Sequence, residues 1–222
     1  STDGTCSVKP YAAYAIGAAL VDTEIQVTDA ELAAMNVEKG MMTLVDQARQ
    51  RDMLTTLSDH LIRANHASGG SAGNSMIATA MMGAPTYMSC KVAQDADGDI
   101  YLADLEQSGV AHGLTERSTD GVTGKCIVLI TPDAERSLNT HLGISETLST
   151  DEVDEAAIKG SEWVYLEGSL VTSPSGHAAA LKTKALAEAH GVKTAVSFSD
   201  PGMVKFFRDN MAAMVEGGVG LV

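Results

Sequence analysis

The sequence predicts an α/β fold in which a mainly parallel sheet carries helices on both faces. Short apolar segments with strand-like composition alternate with longer helical segments through most of the chain. The 222 residues, of which 45% are hydrophobic and 20% charged, are enough for one large domain with a buried core. Because only 4% of the residues are aromatic, that core must be built from aliphatic side chains and from the 11 methionines.

The charge and cysteine content exclude several classes of protein. Acidic residues outnumber basic ones by 29 to 15, and the net charge of −14 repels nucleic acids and anionic membranes. The scattered Cys6, Cys90 and Cys126 indicate reduced thiols rather than a disulfide framework. No apolar run approaches the roughly 18 residues of a membrane helix, and the N-terminus lacks the features of a signal peptide. We therefore expect a cytoplasmic protein with neither nucleic-acid nor membrane partners.

The first half of the chain begins with strands and continues with helices. Segment 13–27 predicts a strand, a small-residue turn and a second strand, because apolar and polar residues alternate in its TEIQV part. Residues 45–66 predict a helix, because leucines recur there at helical spacing. Residues 74–82 predict a short buried helix that Asn74 opens and the Gly-Ala-Pro sequence after it ends.

The second half of the chain continues the alternation. Its predicted elements are a strand at 86–92, a turn at 95–98, helix 100–108, strand 125–130, strand 161–168, helix 175–190, strand 192–198 and helix 203–216. Extended segments at 22–28 and 110–140 interrupt the pattern. We expect them to form a small separate sheet beside the main one.

The glycine-rich segment 66-HASGGSAGNSMIATAMMG-83 allows three interpretations. Gly69 to Gly73 fits G-x-S-x-G, the nucleophile elbow of α/β-hydrolases, around Ser71. The elbow needs a strand directly before that serine, and the polar SDHLIRANHAS sequence does not predict one. The dinucleotide pattern G-x-G-x-x-G fails at Ser68 and lacks the same strand. The third interpretation is a glycine turn that lets the backbone approach a small polar ligand.

Two further motifs match known ligand sites only in part. Segment 119–126 lacks the first glycine and the final Ser or Thr of a phosphate-binding loop, and a strand follows Lys125 where a helix is needed. Segment 95–106 places acidic residues at calcium-loop positions, but Ile100 stands where the loop requires glycine. The six histidines show no metal-ligand spacing. We expect a surface turn that opens a helix at 95–106, and no metal site.

Four segments, in order, resemble the ribokinase or PfkB family of sugar and nucleoside kinases. They are AIGAALVDTEIQV, GGSAGNS, KVAQDADGDIYLADLEQSGV and TGKCIVLITPDAERSLNTHLGIS. The Asn74-Ser75 pair and the Glu135-Arg136-Ser137 turn are most similar to the adenosine-kinase-like branch. The resemblance covers essentially the whole chain. It implies that residues 1–222 are the N-terminal part of a ribokinase-like α/β domain, with a small β lid built from segments near 22–28 and 110–140.

The resemblance also implies a substrate-binding site. In the family the double glycine, here Gly69 and Gly70, approaches the sugar ring of the substrate. Asn74 offers a donor and an acceptor to a vicinal diol, and Asp22 accepts hydrogen bonds from the same hydroxyl groups. Arg136, on the lid side, pairs with phosphate or substrate in a closed state. The implied partner is a small sugar or nucleoside, with ATP and Mg²⁺ as cofactors.

The same residues have alternatives that involve no ligand. Asp22 fits a turn at the end of a strand, the two glycines fit close helix packing, and Asn74 fits a helix cap. Arg136 fits a solvated ion pair with Asp133 or Glu135. The sequence alone leaves these alternatives open.

The catalytic signature of the family is absent from the sequence. Neither D-T-x-G-A-G-D, which carries the general base, nor the magnesium-organising N-x-x-E motif occurs in it. The base is thus expected beyond Val222, and we expect the chain alone to be inactive. A non-catalytic sugar- or nucleoside-binding module that has lost its ATP site is the alternative. A sheet cut at this point would leave an exposed edge, which predicts a homo-oligomer or poor solubility.

Overall fold

A computed structural model describes residues 8–222, so Cys6 and the N-terminal segment lie outside the described residues. The strands are β1 (Tyr11–Ile16), β2 (Leu20–Gln26), β3 (Met42–Leu44), β4 (Asn65–Gly69), β5 (Thr86–Ser89), β6 (Val110–His112), β7 (Gly124–Ile130), β8 (Arg136–His141), β9 (Ser161–Leu166) and β10 (Lys193–Val196). The α-helices are α1 (Asp29–Ala34), α2 (Gln47–Thr56), α3 (Ser71–Met81), α4 (Ala96–Gln107), α5 (Glu155–Lys159), α6 (Pro174–Ala189), α7 (Pro201–Phe206) and α8 (Arg208–Val215).

The larger architectural unit is a five-stranded sheet in the order β10-β9-β1-β5-β6, and all of its strand pairs are parallel. Successive residues of β1 point to opposite faces. Tyr14 and Ile16 pack in one apolar cluster with residues of α5, α6 and α8. Ala15 packs in another cluster with residues of α3 and α4. The prediction of a mainly parallel sheet with helices on both faces is therefore confirmed.

A second five-stranded sheet, in the order β3-β8-β7-β2-β4, mixes parallel and antiparallel pairs. Helices α1 and α2 cover one of its faces and close a small apolar cluster of its own. That cluster consists of Ile25, Val27, Leu32, Met35, Met53, Leu57, Ile127 and Leu129. The opposite face is directed towards the ends of β1, β9 and β10.

The second sheet differs in its boundaries from the segments expected at 22–28 and 110–140. Residues Val110–His112 pair with β5 and belong to the parallel sheet. The 110–140 segment contributes to the second sheet only from Gly124 onwards. Strands β3 and β4, which the sequence pattern did not indicate, complete it.

Four predicted helices have different limits in the structure. The helix expected at 45–66 ends at Thr56, a 3-10 helix follows at Ser58–Arg63, and β4 then pairs with β2. Cross-strand pairing has overridden the local helical pattern there. The helix expected from Asn74 begins earlier, at Ser71, and the turn expected at 95–98 is the first turn of α4. The helix expected at 203–216 is divided into α7 and α8.

Short polar side chains define where most helices begin. Thr28 and Glu31 form a reciprocal capping box at the start of α1. Asp95 accepts a hydrogen bond from the Gly98 N–H at the start of α4, and Ser173 caps α6. Each such cap contributes about 1 kcal/mol to helix stability. None of the helices within residues 8–222 is long and apolar enough to cross a membrane.

One buried polar group stands out in the core beneath α3. The Tyr101 side chain of α4 is fully buried, and its hydroxyl has no hydrogen-bond partner among the described residues. It lies against Gly73, where an added Cβ would be 2.5 Å from the hydroxyl oxygen. Burial raises the pKa of Tyr101 well above its usual value, so the hydroxyl stays protonated.

Replacement of Tyr101 by Phe should leave the free energy of unfolding unchanged or raise it by up to about 1 kcal/mol, because the hydroxyl is desolvated without compensation. Urea denaturation followed by circular dichroism measures the effect. Tyr14→Phe is the matched control, because the Tyr14 hydroxyl donates to Ser89 Oγ at 2.8 Å. We expect it to cost about 1–2 kcal/mol. A comparable loss in Tyr101→Phe would show that the Tyr101 hydroxyl is satisfied in solution.

Candidate functional site

A pocket of about 390 Å³ lies between the second sheet and the carboxyl ends of three parallel strands. Ala18 follows β1, Glu167 and Ser169 follow β9, and Ser197 and Asp200 follow β10. Ligands of open α/β sheets bind outside the carboxyl ends of the strands. The topology therefore places the pocket where a ligand site is expected.

The lining of the pocket mixes apolar and polar groups. The second sheet and the segment after β8 supply an apolar wall of Leu20, Met42, Leu44, Cys126, Leu138 and Leu142. Asp22 and Arg136 lie on the same sheet, while Ser71, Asn74 and Glu167 come from α3 and the end of β9. This mixture suits a small ligand that carries both hydroxyl groups and apolar surface.

The five residues expected to bind substrate lie together in the structure. Asp22, Gly70, Asn74 and Arg136 line the pocket. Gly69 lies directly beside Asp22, and a Cβ added to it would fall 2.0 Å from Asp22 Oδ1. The four segments that carry these residues, β2, the β4–α3 turn, α3 and β8, thus meet at one place.

Both glycines of the turn are required by close approach. Any side chain at Gly69 would collide with the Asp22 carboxylate, so only glycine fits at this position. Gly70 has a φ of 87°, in the left-handed region that favours glycine, and its Cβ would lie 2.7 Å from the carbonyl oxygen of Ala18. The turn therefore packs tightly against the carboxylate and against the segment after β1.

Asn74 does not cap α3, because it is the fourth residue of a helix that begins at Ser71. Its side chain is exposed and lines the pocket. Gly70 precedes the helix and offers no side-chain cap. The Ala72 N–H donates instead to Glu167 Oε2, at 2.9 Å, so a carboxylate from the end of β9 performs the capping role.

Glu167 is the residue of the site that the sequence did not reveal. It is 3% exposed. Its carboxylate accepts hydrogen bonds from the N–H groups of Ala72 and Ala18 and from the Ser169 hydroxyl. Burial raises its pKa, and these donors oppose the rise. A glutamate in the sequence YLEG has no pattern that distinguishes it from a surface residue.

The charge state of Asp22 depends on its neighbours. Burial raises its pKa from the usual 3.8 to about 6, the positive charge of Arg136 lowers it, and the negative charge of Glu24 raises it. Arg136 Nη2 donates to Glu24 Oε1 at 3.1 Å. The alternative of an ion pair with Asp133 or Glu135 is wrong, because Arg136 pairs with Glu24 and Asp133 pairs with Lys39 at 2.7 Å.

The nucleophile-elbow hypothesis gains one feature and lacks another. Strand β4 does precede Ser71, so the expectation that no strand lies there is wrong. It is, however, an edge strand of the second sheet. Among the described residues that line the pocket there is no histidine to act as a base for Ser71.

The other nucleophilic side chain of the pocket is Cys126. Burial raises the pKa of its thiol to about 12, which keeps the thiol protonated and therefore unreactive as a nucleophile.

The match to a family model decides the family. The model of the pfkB family of carbohydrate kinases matches residues 38–219 of this chain. The chain belongs to the pfkB family. The sequence resemblance to this family and the ribokinase-like fold are therefore confirmed.

Two solved kinase structures share the fold over almost the whole chain. The adenosine kinase of Sinorhizobium meliloti superposes with a TM-score of 0.87 at 30% identity, over 94% of this chain and 63% of that one. A probable sugar kinase of Rhizobium etli gives a TM-score of 0.87 at 28% identity, over 95% of this chain and 62% of that one.

Curated relatives include kinases of different sugars. An ATP-dependent ribose-1-phosphate kinase of Halopiger xanaduensis is 29% identical over 85% of this chain and 59% of its own length. Mouse ribokinase is 27% identical over 57% of this chain and 38% of its own length. The chain thus spans less than two thirds of the length of these pfkB relatives.

The pKa of Asp22 is a direct test of the pocket. A carbon-detected NMR titration of the ligand-free chain should give Asp22 a midpoint of about 6. Arg136→Gln should raise the midpoint, because it removes a positive charge, and Glu24→Gln should lower it. Since the folded state binds this proton more tightly than the unfolded state, the contribution of Asp22 to stability falls as pH rises from about 4 through about 6. A midpoint near the usual 3.8 would contradict the buried geometry.

Proposed function

We propose that this chain supplies the substrate-binding part of a kinase that uses ATP to phosphorylate a hydroxyl group of a sugar or nucleoside. The observation that carries the proposal is the cluster of Asp22, the glycine turn and Asn74 in a pocket of a pfkB family member. Phosphoryl transfer to an alcohol requires a site that holds the hydroxyl groups of the acceptor in a fixed position.

The polar residues divide the work of binding. Ionised Asp22 accepts hydrogen bonds from substrate hydroxyl groups, and such charge-assisted bonds are stronger than neutral ones. The Asn74 amide both donates and accepts, which suits two adjacent hydroxyl groups. Gly69 and Gly70 allow the backbone to approach the ring. Arg136 lines the pocket and donates to Glu24, which supports a role for it in contacting substrate from the second sheet.

The pocket favours a neutral substrate over a phosphorylated one. Three carboxylate side chains, Asp22, Glu167 and Asp200, line it together with Arg136. That balance of charge disfavours an anionic ligand such as a sugar phosphate, although one relative is named a ribose-1-phosphate kinase. The apolar wall gives a nucleoside base a surface to pack against, in line with the relative named adenosine kinase. Adenosine and ribose are therefore the first substrates to test.

ATP is the phosphoryl donor that the pfkB family implies, with Mg²⁺ as the accompanying cation. Residues 8–222 hold no group of three or more His, Cys, Asp or Glu side chains that could bind a metal. The described residues fit the binding of the phosphoryl acceptor.

Loss of the Asp22 charge should weaken substrate binding. We expect Asp22→Asn to raise the Kd for adenosine or ribose about 10- to 100-fold, because it removes a charged hydrogen-bond acceptor. Asn74→Ala, which removes a neutral hydrogen-bonding group, should raise the Kd about 10-fold. Isothermal titration calorimetry at pH 7.5, where Asp22 is ionised, measures both. Asp120→Asn, at an exposed residue away from the pocket, and Ser75→Ala, on α3, are the controls. Equal affinities in all five proteins would overturn the assignment of the site.

The alternative is a non-catalytic module that binds a sugar or nucleoside. An assay of ADP formation with Mg-ATP and the bound substrate separates the two on the protein expressed from its complete reading frame. Substrate-dependent ADP formation supports the kinase. Binding without it supports the module. For the 222-residue chain alone we expect binding without turnover.

A further inference from the structure

One carboxylate outside the pocket is bonded to the strand that leads into the glycine turn. Asp104 belongs to α4, and its Oδ2 accepts hydrogen bonds from the Ser68 hydroxyl at 2.6 Å and the Ser68 N–H at 3.0 Å. The first distance is typical of a charge-assisted bond between a hydroxyl and a carboxylate. Ser68 immediately precedes Gly69. Asp104 does not line the pocket, so these bonds act at one remove from any ligand.

Strand β4 has few other attachments. It is an edge strand of the second sheet and pairs only with β2. Its first three residues, Asn65 to Ala67, are exposed. An edge strand has one row of backbone groups without a strand partner, and Asp104 satisfies the Ser68 N–H of that row. Asp104 therefore provides the hydrogen-bond acceptor that a neighbouring strand would provide on that side of β4.

Helix α4 is itself anchored in the body of the protein. Tyr101 and Leu105, which flank Asp104 in the helix, are fully buried against residues of the parallel sheet. Asp104 thus connects the edge of the second sheet to the helix layer of the first. These two bonds therefore contribute to the position of β4 relative to the parallel sheet.

The position of β4 affects the pocket because Gly69, the last residue of β4, lies directly beside the Asp22 carboxylate. Only 2.0 Å separates the place of a Gly69 Cβ from Asp22 Oδ1, so a small shift of β4 changes the environment of the carboxylate. The next residue, Gly70, starts the turn into α3 and Asn74. A displacement of Ser68 is therefore passed to both hydroxyl-binding side chains.

We propose that Asp104 is a positioning residue, which holds β4 and the glycine turn at the distance from the parallel sheet that Asp22 and Asn74 need to bind adjacent hydroxyl groups together. The proposal rests on the proposed function for its ligand. Its structural part, the control of β4 by Asp104, applies without any ligand.

The variants follow from the geometry. Asp104→Ala removes the acceptor of both bonds. Asp104→Asn keeps one carbonyl oxygen, which is sufficient because both bonds go to the same oxygen atom, and it should restore most of the function. Ser68→Ala removes only the hydroxyl bond and should have an intermediate effect. Glu106→Ala, on the same helix with an exposed side chain, is the matched control.

The first measurement is hydrogen exchange of the ligand-free chain, resolved by mass spectrometry. Asp104→Ala should speed exchange several-fold in peptides that cover 65–72, and leave peptides of β1 and β9 unchanged. Unchanged exchange at 65–72 would overturn the proposal, whatever the ligand.

The second measurement is selectivity, taken well below the melting temperature of every variant. The Kd for adenosine is compared with that for 2′,3′-dideoxyadenosine, or ribose with 2-deoxyribose if ribose is the ligand bound. Asp104→Ala should reduce the preference for the intact diol about 10-fold, as for one lost charged bond, with recovery in Asp104→Asn. An unchanged preference, or an equal loss for both ligands, would show that Asp104 serves stability alone. If the wild-type chain binds neither pair, the proposed function fails, and hydrogen exchange alone decides the role of Asp104.

Discussion

The site depends on the burial of one carboxylate, that of Glu167. Glu167 joins the segment after β1, through the Ala18 N–H, to the first turn of α3, through the Ala72 N–H. A carboxylate is costly to bury unless its oxygens are hydrogen-bonded. The two N–H groups must therefore keep their positions beside the Glu167 carboxylate for that carboxylate to stay buried. The strand that carries Asp22 and the helix that carries Asn74 both start at these two points. The pocket is therefore organised from the parallel sheet outwards.

Much of the fold could be predicted because its signals are local. Alternating strands and helices, and Gly and Pro at turns, are visible in any short window of the sequence. Strand β4 is different, since NHASG has no strand-like pattern and becomes a strand only because β2 lies beside it. Helix α1 is the opposite case, because the sequence contains a helix-start pattern there but our sequence analysis does not predict the helix. Thr28 and Glu31 have the spacing of a capping box, but the short helix after them has a single buried residue.

The candidate site was accessible from the sequence only where a residue type has a characteristic use. Adjacent glycines before a helix allow close approach of the backbone, and a carboxylate accepts hydrogen bonds, so both residue types indicate a ligand site. Glu167 and Asp104 have no such sequence pattern. Each acts by accepting a hydrogen bond from a backbone N–H group, and the donors lie 95 and 36 residues away in the chain. The same holds for the partner of Arg136, because Glu24 lies 112 residues away in the chain and the sequence offers only the nearby Asp133 and Glu135 as alternatives.

The apolar cluster between the second sheet and helices α1 and α2 has a consequence for motion. It contains residues of β2, β7, α1 and α2 and none of the parallel sheet, so this part of the chain has a small core of its own. Regions with separate cores tend to unfold locally as cooperative units. Loosening of α1 and α2 would then expose the apolar face of the second sheet while β4 stays bonded to α4 through Asp104. Asp22, Glu24 and Arg136 lie on the opposite face of that sheet, so the pocket wall would outlast the opening of this small core.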